Sequence, residues 1–316
     1  MARYRLLALF SSLFVLFAFP VSAQEGPAPT QASVTASLQG TTVAVTGTVT
    51  FGGQALQTVA TDVTGDGPLH ADLSRDLGVD LVAARVHQPN PNEPTLVFEW
   101  QPTNLPAPIP EGVRYFWPFL LNTPAGDKTY FLQAKFTNLA SITVADDPAG
   151  HVTHSGAAFQ LRGNCGTLVA IQNCGHLGWL EGEYDLTEEV VRIELPIGSA
   201  LAPDVVPGAR LIPFDYAGGT IAVAYQAAVS NATTTDFADW TEEFVYTVPS
   251  KRVSLGIAPA GADPANVSFS KQATLEGDGF SGSLDVSGLA PGSYEVFAKA
   301  CFADNCDVAT APFTII

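Results

Sequence analysis

Two segments that alternate between apolar and polar residues, joined by a proline-rich turn, constrain the fold of this chain most strongly. Over residues 80–87, successive side chains would point to opposite faces of an extended strand. Over residues 96–101, Leu96, Phe98 and Trp100 would share one face. The turn between them reads QPNPNEP. A period of two in both segments predicts a pair of neighbouring strands and excludes a helix here.

The composition extends this prediction to the whole chain. Of the 316 residues, 47% are hydrophobic and 14% are charged, so the chain can bury substantial cores. Val, Thr, Gly and Pro are abundant, whereas Met occurs once. These residues favour strands and turns over helices. We therefore predict an all-β protein, with one short helix within residues 230–243.

The first 23 residues have the pattern of a secretion signal. Arg3 and Arg5 precede an apolar run over residues 6–19, and a small-x-small cleavage pattern ends at Ala23. The run is short for a membrane span, although a retained anchor is the alternative. No later segment approaches a membrane helix in length. We expect a secreted or cell-surface protein with no membrane span in the mature chain.

The charge of the mature chain narrows the choice of partners. Loss of Arg3 and Arg5 leaves 12 basic and 31 acidic residues, a net charge of −19. Nucleic acid is excluded as a partner, because phosphate binding requires clustered Lys and Arg. Strong negative charge suits solubility outside the cell and counter-ions such as calcium.

The four cysteines permit three pairings. In an exported chain two local bridges are the simplest choice, and each pair would then lie in its own domain. Zinc is not expected, because the sequence has neither a CxxC knuckle nor paired histidines at ligand spacing. We predict disulfides that join Cys165 to Cys174 and Cys301 to Cys306.

Changes in composition and in the spacing of the predicted strands divide the chain into parts. A proline-rich leader over residues 24–32 follows the signal, and a large domain covers residues 33–248. Its most aromatic run, residues 113–122, predicts a central strand in which Pro118 marks a bulge or an end. After residue 249, short strands follow at close spacing, which predicts a second, small domain over residues 249–316.

The small domain resembles a known class of module. Leu289, Pro291, Gly292 and Tyr294 form a Leu-x-Pro-Gly turn that leads into a tyrosine-bearing strand. This pattern resembles bacterial immunoglobulin-like and fibronectin-type-III-like modules. The resemblance implies a small immunoglobulin-like β-sandwich.

The large domain resembles other secreted sandwiches. Asp62, Gly65, Asp66 and Asp80 precede the strand over residues 96–100, in an order similar to DOMON and family-9 carbohydrate-module domains. The resemblance implies a large antiparallel β-sandwich that holds sugar, haem or calcium. It makes an extracellular carbohydrate or protein ligand the expected partner.

The acidic loop over residues 62–76 is the candidate calcium site. It opens as Asp-x-Thr-x-Asp-Gly, in which alternate oxygen-bearing side chains point inward and the glycine permits a sharp turn. The twelfth position is Leu73 instead of a bidentate Glu, so the match is incomplete. Ordinary Asp/Gly turn chemistry is the alternative. The candidate Ca²⁺ ligands are Asp62, Thr64, Asp66, Asp72 and Asp76.

A second candidate site is the spacing Glu-x-Asp-x-x-Glu formed by Glu183, Asp185 and Glu188. It resembles the catalytic strand of laminarinase-type β-jelly-roll glycosidases, in which the first Glu is the nucleophile and the last is the acid/base. Tyr184 departs from the branched aliphatic residue of that pattern. The alternative is a solvated turn over residues 186–189, between predicted strands over residues 177–185 and 190–195. We expect a non-enzymatic binding or scaffold protein, with a polysaccharide glycosidase as the alternative.

Other chemistries find little support in the sequence. Met1 leaves with the signal, so Met/His haem ligation is excluded and we expect no haem. Two of the histidines, His151 and His154, would point to opposite faces of a strand. There is no Gly-x-Ser-x-Gly elbow or phosphate-cradling glycine loop. The aromatic residues that could stack on sugar rings are Tyr115, Trp117, Phe119, Trp179 and Trp240.

Overall fold

A computed structural model gives the fold. It describes residues 28–55, 57–61, 81–102, 113–136, 157–163, 174–212, 214–215, 222–223, 226–229, 236–240 and 245–316. Within these ranges the regular structure consists of strands, apart from one 3-10 turn at Pro264–Asn266. The all-β prediction is confirmed. None of the described residues belongs to a helix long and apolar enough to cross a membrane.

Among the described strands, the pairs that form are antiparallel. Their bounds are β1 Gln31–Gln39, β2 Thr42–Thr50, β3 Gln57–Thr61, β4 Leu81–His87, β5 Thr95–Pro102, β6 Val113–Thr123, β7 Gly126–Phe136, β8 Ala157–Gly163, β9 Gly175–Trp179, β10 Glu181–Asp185, β11 Val190–Pro196, β12 Arg210–Leu211, β13 Phe214–Asp215, β14 Ala222–Val223, β15 Gln226–Val229, β16 Asp236–Trp240, β17 Tyr246–Thr247, β18 Lys251–Pro259, β19 Phe269–Gln272, β20 Thr274–Glu276, β21 Gly279–Asp285, β22 Gly292–Phe302 and β23 Asn305–Ile315.

The described strands of the large domain form a sandwich of two main sheets, together with the two-stranded sheets β12-β17 and β13-β14. One has the order β10-β11-β5-β4-β3 and the other the order β16-β15-β6-β7-β8-β9. The segments at 80–87 and 96–101 are β4 and β5, and they pair as the alternation predicts. Their inward residues meet the aromatic strand β6: the Phe98 and Trp117 ring centroids lie 4.8 Å apart, and those of Trp100 and Trp117 lie 5.6 Å apart. This aromatic contact is the centre of the large core.

Pro118 lies in the middle of β6, and the strand neither bulges nor ends there. It pairs with Phe131 of β7 in an unbroken register. On its other side, β15 pairs only as far as Phe116, and Leu120 exchanges backbone hydrogen bonds with Ile212. The Leu120 N–H, two residues further on, donates to Ile212 and so points away from β7. The nitrogen of Pro118 points the same way, so the β6–β7 ladder loses no hydrogen bond.

The second sandwich is built from both ends of the described chain. Its sheets have the orders β1-β2-β21-β20 and β19-β18-β22-β23. The hairpin β1–β2 pairs through β2 with β21, in the register Val43 to Leu284 and Val45 to Gly282. Val43, Val45 and Val49 belong to the same buried cluster as Val253 and Phe302. This differs from the predicted division at residue 33: residues 31–50 belong with the C-terminal module.

One asparagine, Asn305, holds the start of the described chain against this sandwich by side-chain hydrogen bonds. The Asn305 side chain accepts from the Thr30 N–H at 2.9 Å and donates to the carbonyls of Ala28 and Gly53, each at 3.0 Å. A Cβ at Gly52 would collide with the Ala28 carbonyl, so only glycine permits this close crossing.

Two further predictions differ from the structure. Residues 236–240, within the segment predicted as a short helix, form β16, which pairs with β15. The predicted single strand over residues 177–185 is two strands, β9 and β10, that belong to different sheets. The chain passes from the six-stranded sheet to the five-stranded sheet at Leu180. This residue is buried, and its N–H donates to the Phe159 carbonyl at 2.9 Å.

Candidate functional site

The hairpin β10–β11 carries the predicted carboxylates on the outer face of the five-stranded sheet. Glu183 is exposed, whereas Tyr184 points inward and packs its ring 5.7 Å from Phe159. The turn is built by Asp185, whose Oδ1 accepts from the N–H groups of Thr187 and Glu188 at 2.8 and 3.0 Å. These two backbone bonds, with Arg192, hold the pKa of Asp185 below its usual value.

A single arginine, Arg192, contacts all three acidic side chains of the predicted Glu-x-Asp-x-x-Glu site. The Nη1 atom of Arg192 donates to Glu183 at 2.8 Å and lies 3.3 Å from Asp185, and its Nη2 atom donates to Glu188. Its Nε atom donates to Glu99 at 2.8 Å. Burial opposes the positive charge, but the hydrogen bonds to Glu183, Glu99 and Glu188 outweigh it and raise the pKa of Arg192.

This cluster continues as a row of alternating charges across four strands. Strand register places Glu183 opposite Arg192, Arg192 opposite Glu99, and Glu99 opposite Arg85. Glu99 is only 2% exposed, and Arg85 reaches its second oxygen at 2.7 Å. Cross-strand pairs of opposite charge stabilise a sheet, and a buried carboxylate requires such partners. We call these four residues the charged row.

The charged row bears on the glycosidase alternative. A retaining pair of carboxyls must be about 5 to 5.5 Å apart, with the sugar bound across them. Here Glu183 and Glu188 lie on one face, but the Arg192 guanidinium contacts both. The arrangement is therefore an ion-pair network that stabilises the sheet.

His87 lies on the same face, at the end of β4. Its Nδ1 atom is buried and has no hydrogen-bond partner among the described residues. Burial lowers the pKa of His87, and the charge of Arg192 lowers it further, while Glu99 acts in the opposite direction. Burial therefore favours the neutral form of the ring.

A different set of residues forms an aromatic and amide patch at the edge of the six-stranded sheet. The His176 and Trp179 ring centroids lie 4.9 Å apart on β9. His176 is exposed and Trp179 is half-buried. The Nδ1 of His176 lies 3.2 Å from the Gln160 amide oxygen, and the Gln160 amide donates to buried Gln133. We call these four residues the Trp179 patch.

The patch has the chemistry of a sugar subsite. An accessible aromatic ring offers a surface for the C–H face of a sugar, and the exposed His176 imidazole offers a hydrogen bond to a hydroxyl. The Gln160 and Gln133 amides are buried, and they hold the imidazole in place. The sequence singled out Trp179 but missed Gln133 and Gln160. The available signal was two glutamines at outward positions of otherwise apolar strands.

The other aromatic residues that were predicted to stack on sugar rings do not belong to the Trp179 patch. Tyr115, Trp117 and Phe119 are each at most 1% exposed and belong to the core, so they are not available to a ligand. The side chain of Trp240 lies outside the described part of the chain, as do His70, His151 and His154.

The candidate calcium ligands Asp62, Thr64, Asp66, Asp72 and Asp76 all lie outside the described residues. In the part of the chain that is described, no three His, Cys, Asp or Glu side chains are grouped so that they could hold a metal.

The Cys301–Cys306 disulfide is confirmed, with a Cα–Cα distance of 4.2 Å across the hairpin of β22 and β23. Cys174 is also disulfide-bonded, whereas its predicted partner Cys165 lies outside the described residues.

No protein-family model matches this chain, and no curated protein or solved structure matches it either. The functional conclusion therefore depends on the side chains described above.

Proposed function

We propose that this is an exported, non-enzymatic protein that binds extracellular carbohydrate through the Trp179 patch, as a binding or cell-surface scaffold protein. The observation that carries the proposal is the exposed His176 ring beside half-buried Trp179, at the end of a hydrogen-bonded chain of amides. The absence of catalysis is supported by Arg192, which engages both candidate catalytic glutamates.

Export and binding are tested on separate samples. Amino-terminal sequencing of the protein recovered from outside its host cell should begin at Gln24. A glycan array, followed by affinity electrophoresis in soluble polysaccharides, should identify a retained saccharide. Trp179→Ala should weaken that binding about tenfold, because an aromatic contact contributes about 0.5–1.5 kcal/mol beyond the area it buries.

The matched control is Leu186→Ala, which removes another accessible apolar side chain, 49% exposed, from the neighbouring β10–β11 turn. It should leave binding unchanged. Binding that survives both Trp179→Ala and His176→Ala would place the ligand elsewhere, and the failure of every saccharide to bind would refute the carbohydrate proposal.

A glycosidase remains the second candidate, because Glu183 and Glu188 lie on one face and meet at one guanidinium. The test is the release of reducing ends from laminarin and related polysaccharides. We expect none above a blank. Hydrolysis that is lost in both Glu183→Gln and Glu188→Gln would replace the binding proposal by the enzymatic one.

Calcium binding at residues 62–76 also stays a proposal, supported by the loop pattern and the acidic charge of the chain. An ion at a hundredfold excess over its Kd would add about 2.7 kcal/mol to the stability of the folded state. Thermal unfolding with EGTA and with millimolar calcium, on the parent and on Asp66→Ala, tests it: equal Tm values in the parent would refute the site.

A further inference from the structure

A slot opens between the two sheets of the C-terminal sandwich. It has a volume of about 680 Å³, and its walls come from β18, β19, β21 and the start of β22. This is within the range of sites that take small molecules. It lies in a different module from the Trp179 patch, so its function is independent of the proposed one.

The opening exists because one strand changes sheets. β19 pairs with β18, but at Ala273 the chain crosses over, and β20 then pairs with β21 only at residues 279–281. The Ala273 N–H donates to the Val253 carbonyl at 2.8 Å and fixes the crossing point. Residues 282–285 of β21 consequently have no strand neighbour on that edge among the described residues, and the sandwich stays open beside them.

The inside of the slot is apolar. Leu284 is only 6% exposed, and Ile257 and Tyr294 pack against the same core cluster. The Tyr294 hydroxyl donates to the Ala290 carbonyl at 2.9 Å, so its polar end is satisfied. Leu289, which is 36% exposed, extends the apolar surface to the rim. Apolar surface left partly open to water favours an apolar occupant.

The mouth of the slot carries two charged side chains of opposite sign, Lys271 and Asp285. The Lys271 ammonium has a neutral neighbour, the Ser283 hydroxyl at 3.3 Å, and no carboxylate of the described residues lies within ion-pair distance of it. The nearby Asp285 carboxylate accepts from the Ser287 N–H at 2.9 Å. Ser268 and Ser270 add hydroxyl groups to the lining. An ammonium with hydroxyls around it is suited to a carboxylate.

We propose that this slot binds a small apolar molecule that carries one carboxylate. The apolar body lies against Ile257, Leu284 and Tyr294, and the carboxylate accepts hydrogen bonds from Lys271 Nζ and the Ser283 hydroxyl. A saccharide fits less well, because its hydroxyls would meet apolar side chains along the floor without hydrogen-bond partners.

Calorimetric titration of the full mature chain tests the proposal with three probes of equal chain length: octanoate, octan-1-ol and octylamine. Octanoate should bind, the alcohol should bind at least tenfold more weakly, and the amine should bind most weakly. Lys271→Met should weaken octanoate binding about tenfold or more, as expected for a lost hydrogen bond to a charged group, and leave the alcohol unaffected. Lys271→Arg should retain octanoate binding.

The matched control is Lys299→Met. Lys299 belongs to the same sandwich, but its ammonium lies over the Phe269 ring, 5.8 Å from the ring centroid, and not in the slot. It should bind octanoate like the parent, and so should Trp179→Ala. The proposal is overturned if octanoate does not bind at millimolar concentration, if the alcohol binds equally well, or if Lys271→Met and Lys299→Met behave alike.

Discussion

The two sandwiches of this protein are assembled from the chain in different ways. The described strands of the large sandwich, β3 to β17, follow one another within residues 57–247. The C-terminal sandwich instead combines β1 and β2 with β18 to β23, so that Thr30 and Asn305 are hydrogen-bonded across a separation of 275 residues. One core is continuous in sequence, and the other is closed only when both ends of the chain are present.

This difference has consequences for folding and stability. Contacts between residues that are distant in sequence form late, because the entropy of closing the intervening chain must first be overcome. The C-terminal core therefore depends on the early hairpin, whereas the large core does not. All four tryptophans, Trp100, Trp117, Trp179 and Trp240, lie in the large domain, so their fluorescence reports on that sandwich alone.

The largest expected effect comes from removal of the hairpin. Deletion of residues 24–53 takes Val43, Val45, Val49 and Phe51 out of the C-terminal core. At about 1.5–3 kcal/mol for each buried side chain, the loss equals the total stability of a typical domain. We expect the C-terminal sandwich to unfold, seen as loss of dispersed NMR signals from residues 251–316, while the tryptophan transition persists. A folded C-terminal module after this deletion would contradict the shared core.

The next largest effect concerns the charged row of the large sandwich. Glu99→Gln removes the buried carboxylate that Arg85 and Arg192 share. Breaking a buried ion pair costs up to about 3–5 kcal/mol, and less where an arginine keeps other carboxylates, as Arg192 keeps Glu183 and Glu188. The tryptophan transition should therefore move clearly to a lower urea concentration. Glu188→Gln is the control, since Glu188 is 57% exposed and such pairs contribute about 0–1 kcal/mol. Equal effects of the two variants would mean that Glu99 is not the buried centre of the row.

A smaller effect is expected at the junction of hairpin and C-terminal module. Asn305→Ala removes three hydrogen bonds, to Ala28, Thr30 and Gly53. At about 0.5–1.5 kcal/mol each, this should destabilise the C-terminal sandwich by about 2–3 kcal/mol. Amide hydrogen exchange in β1 and β23 measures it, with Asp304→Ala as the control on the neighbouring exposed residue. Exchange that accelerates equally in both variants would show that the side-chain bonds do not hold the hairpin.

The smallest effect is a pH dependence confined to the large sandwich. Burial lowers the pKa of His87, and partial desolvation together with the Arg162 charge lowers that of His176. The unfolded state therefore binds more protons below about pH 6.5. The stability of the large domain is therefore complete above that pH and falls as the pH drops towards 5. The hairpin and residues 249–316 contain no histidine. Urea unfolding at pH 7.5 and 5.5 should show the change in tryptophan fluorescence, and His87→Asn should reduce it.

Residues with strong local patterns were predicted well from the sequence. The alternation over residues 80–87 and 96–101 identified β4, β5 and their pairing, because the period of two decides which side chains are buried. The short separation between Cys301 and Cys306 identified their disulfide, because a tight hairpin brings such residues together. Glu183 and Glu188 were found as a pair, although their common partner Arg192 was not.

The sequence by itself determined the all-β class, the positions of most strands and the acidic character of the chain, since each follows from residue type and local period. Tertiary structure alone decided which strands share a sheet. The Val/Thr alternation of β1 and β2 is satisfied by any sheet with an apolar face, and only the fit of Val43, Val45 and Phe51 against Phe280 and Leu284 selects the C-terminal module. In the same way, only the cross-strand register brought Arg192 to Glu99 and assembled the charged row, because partners on different strands leave no signal in the local sequence.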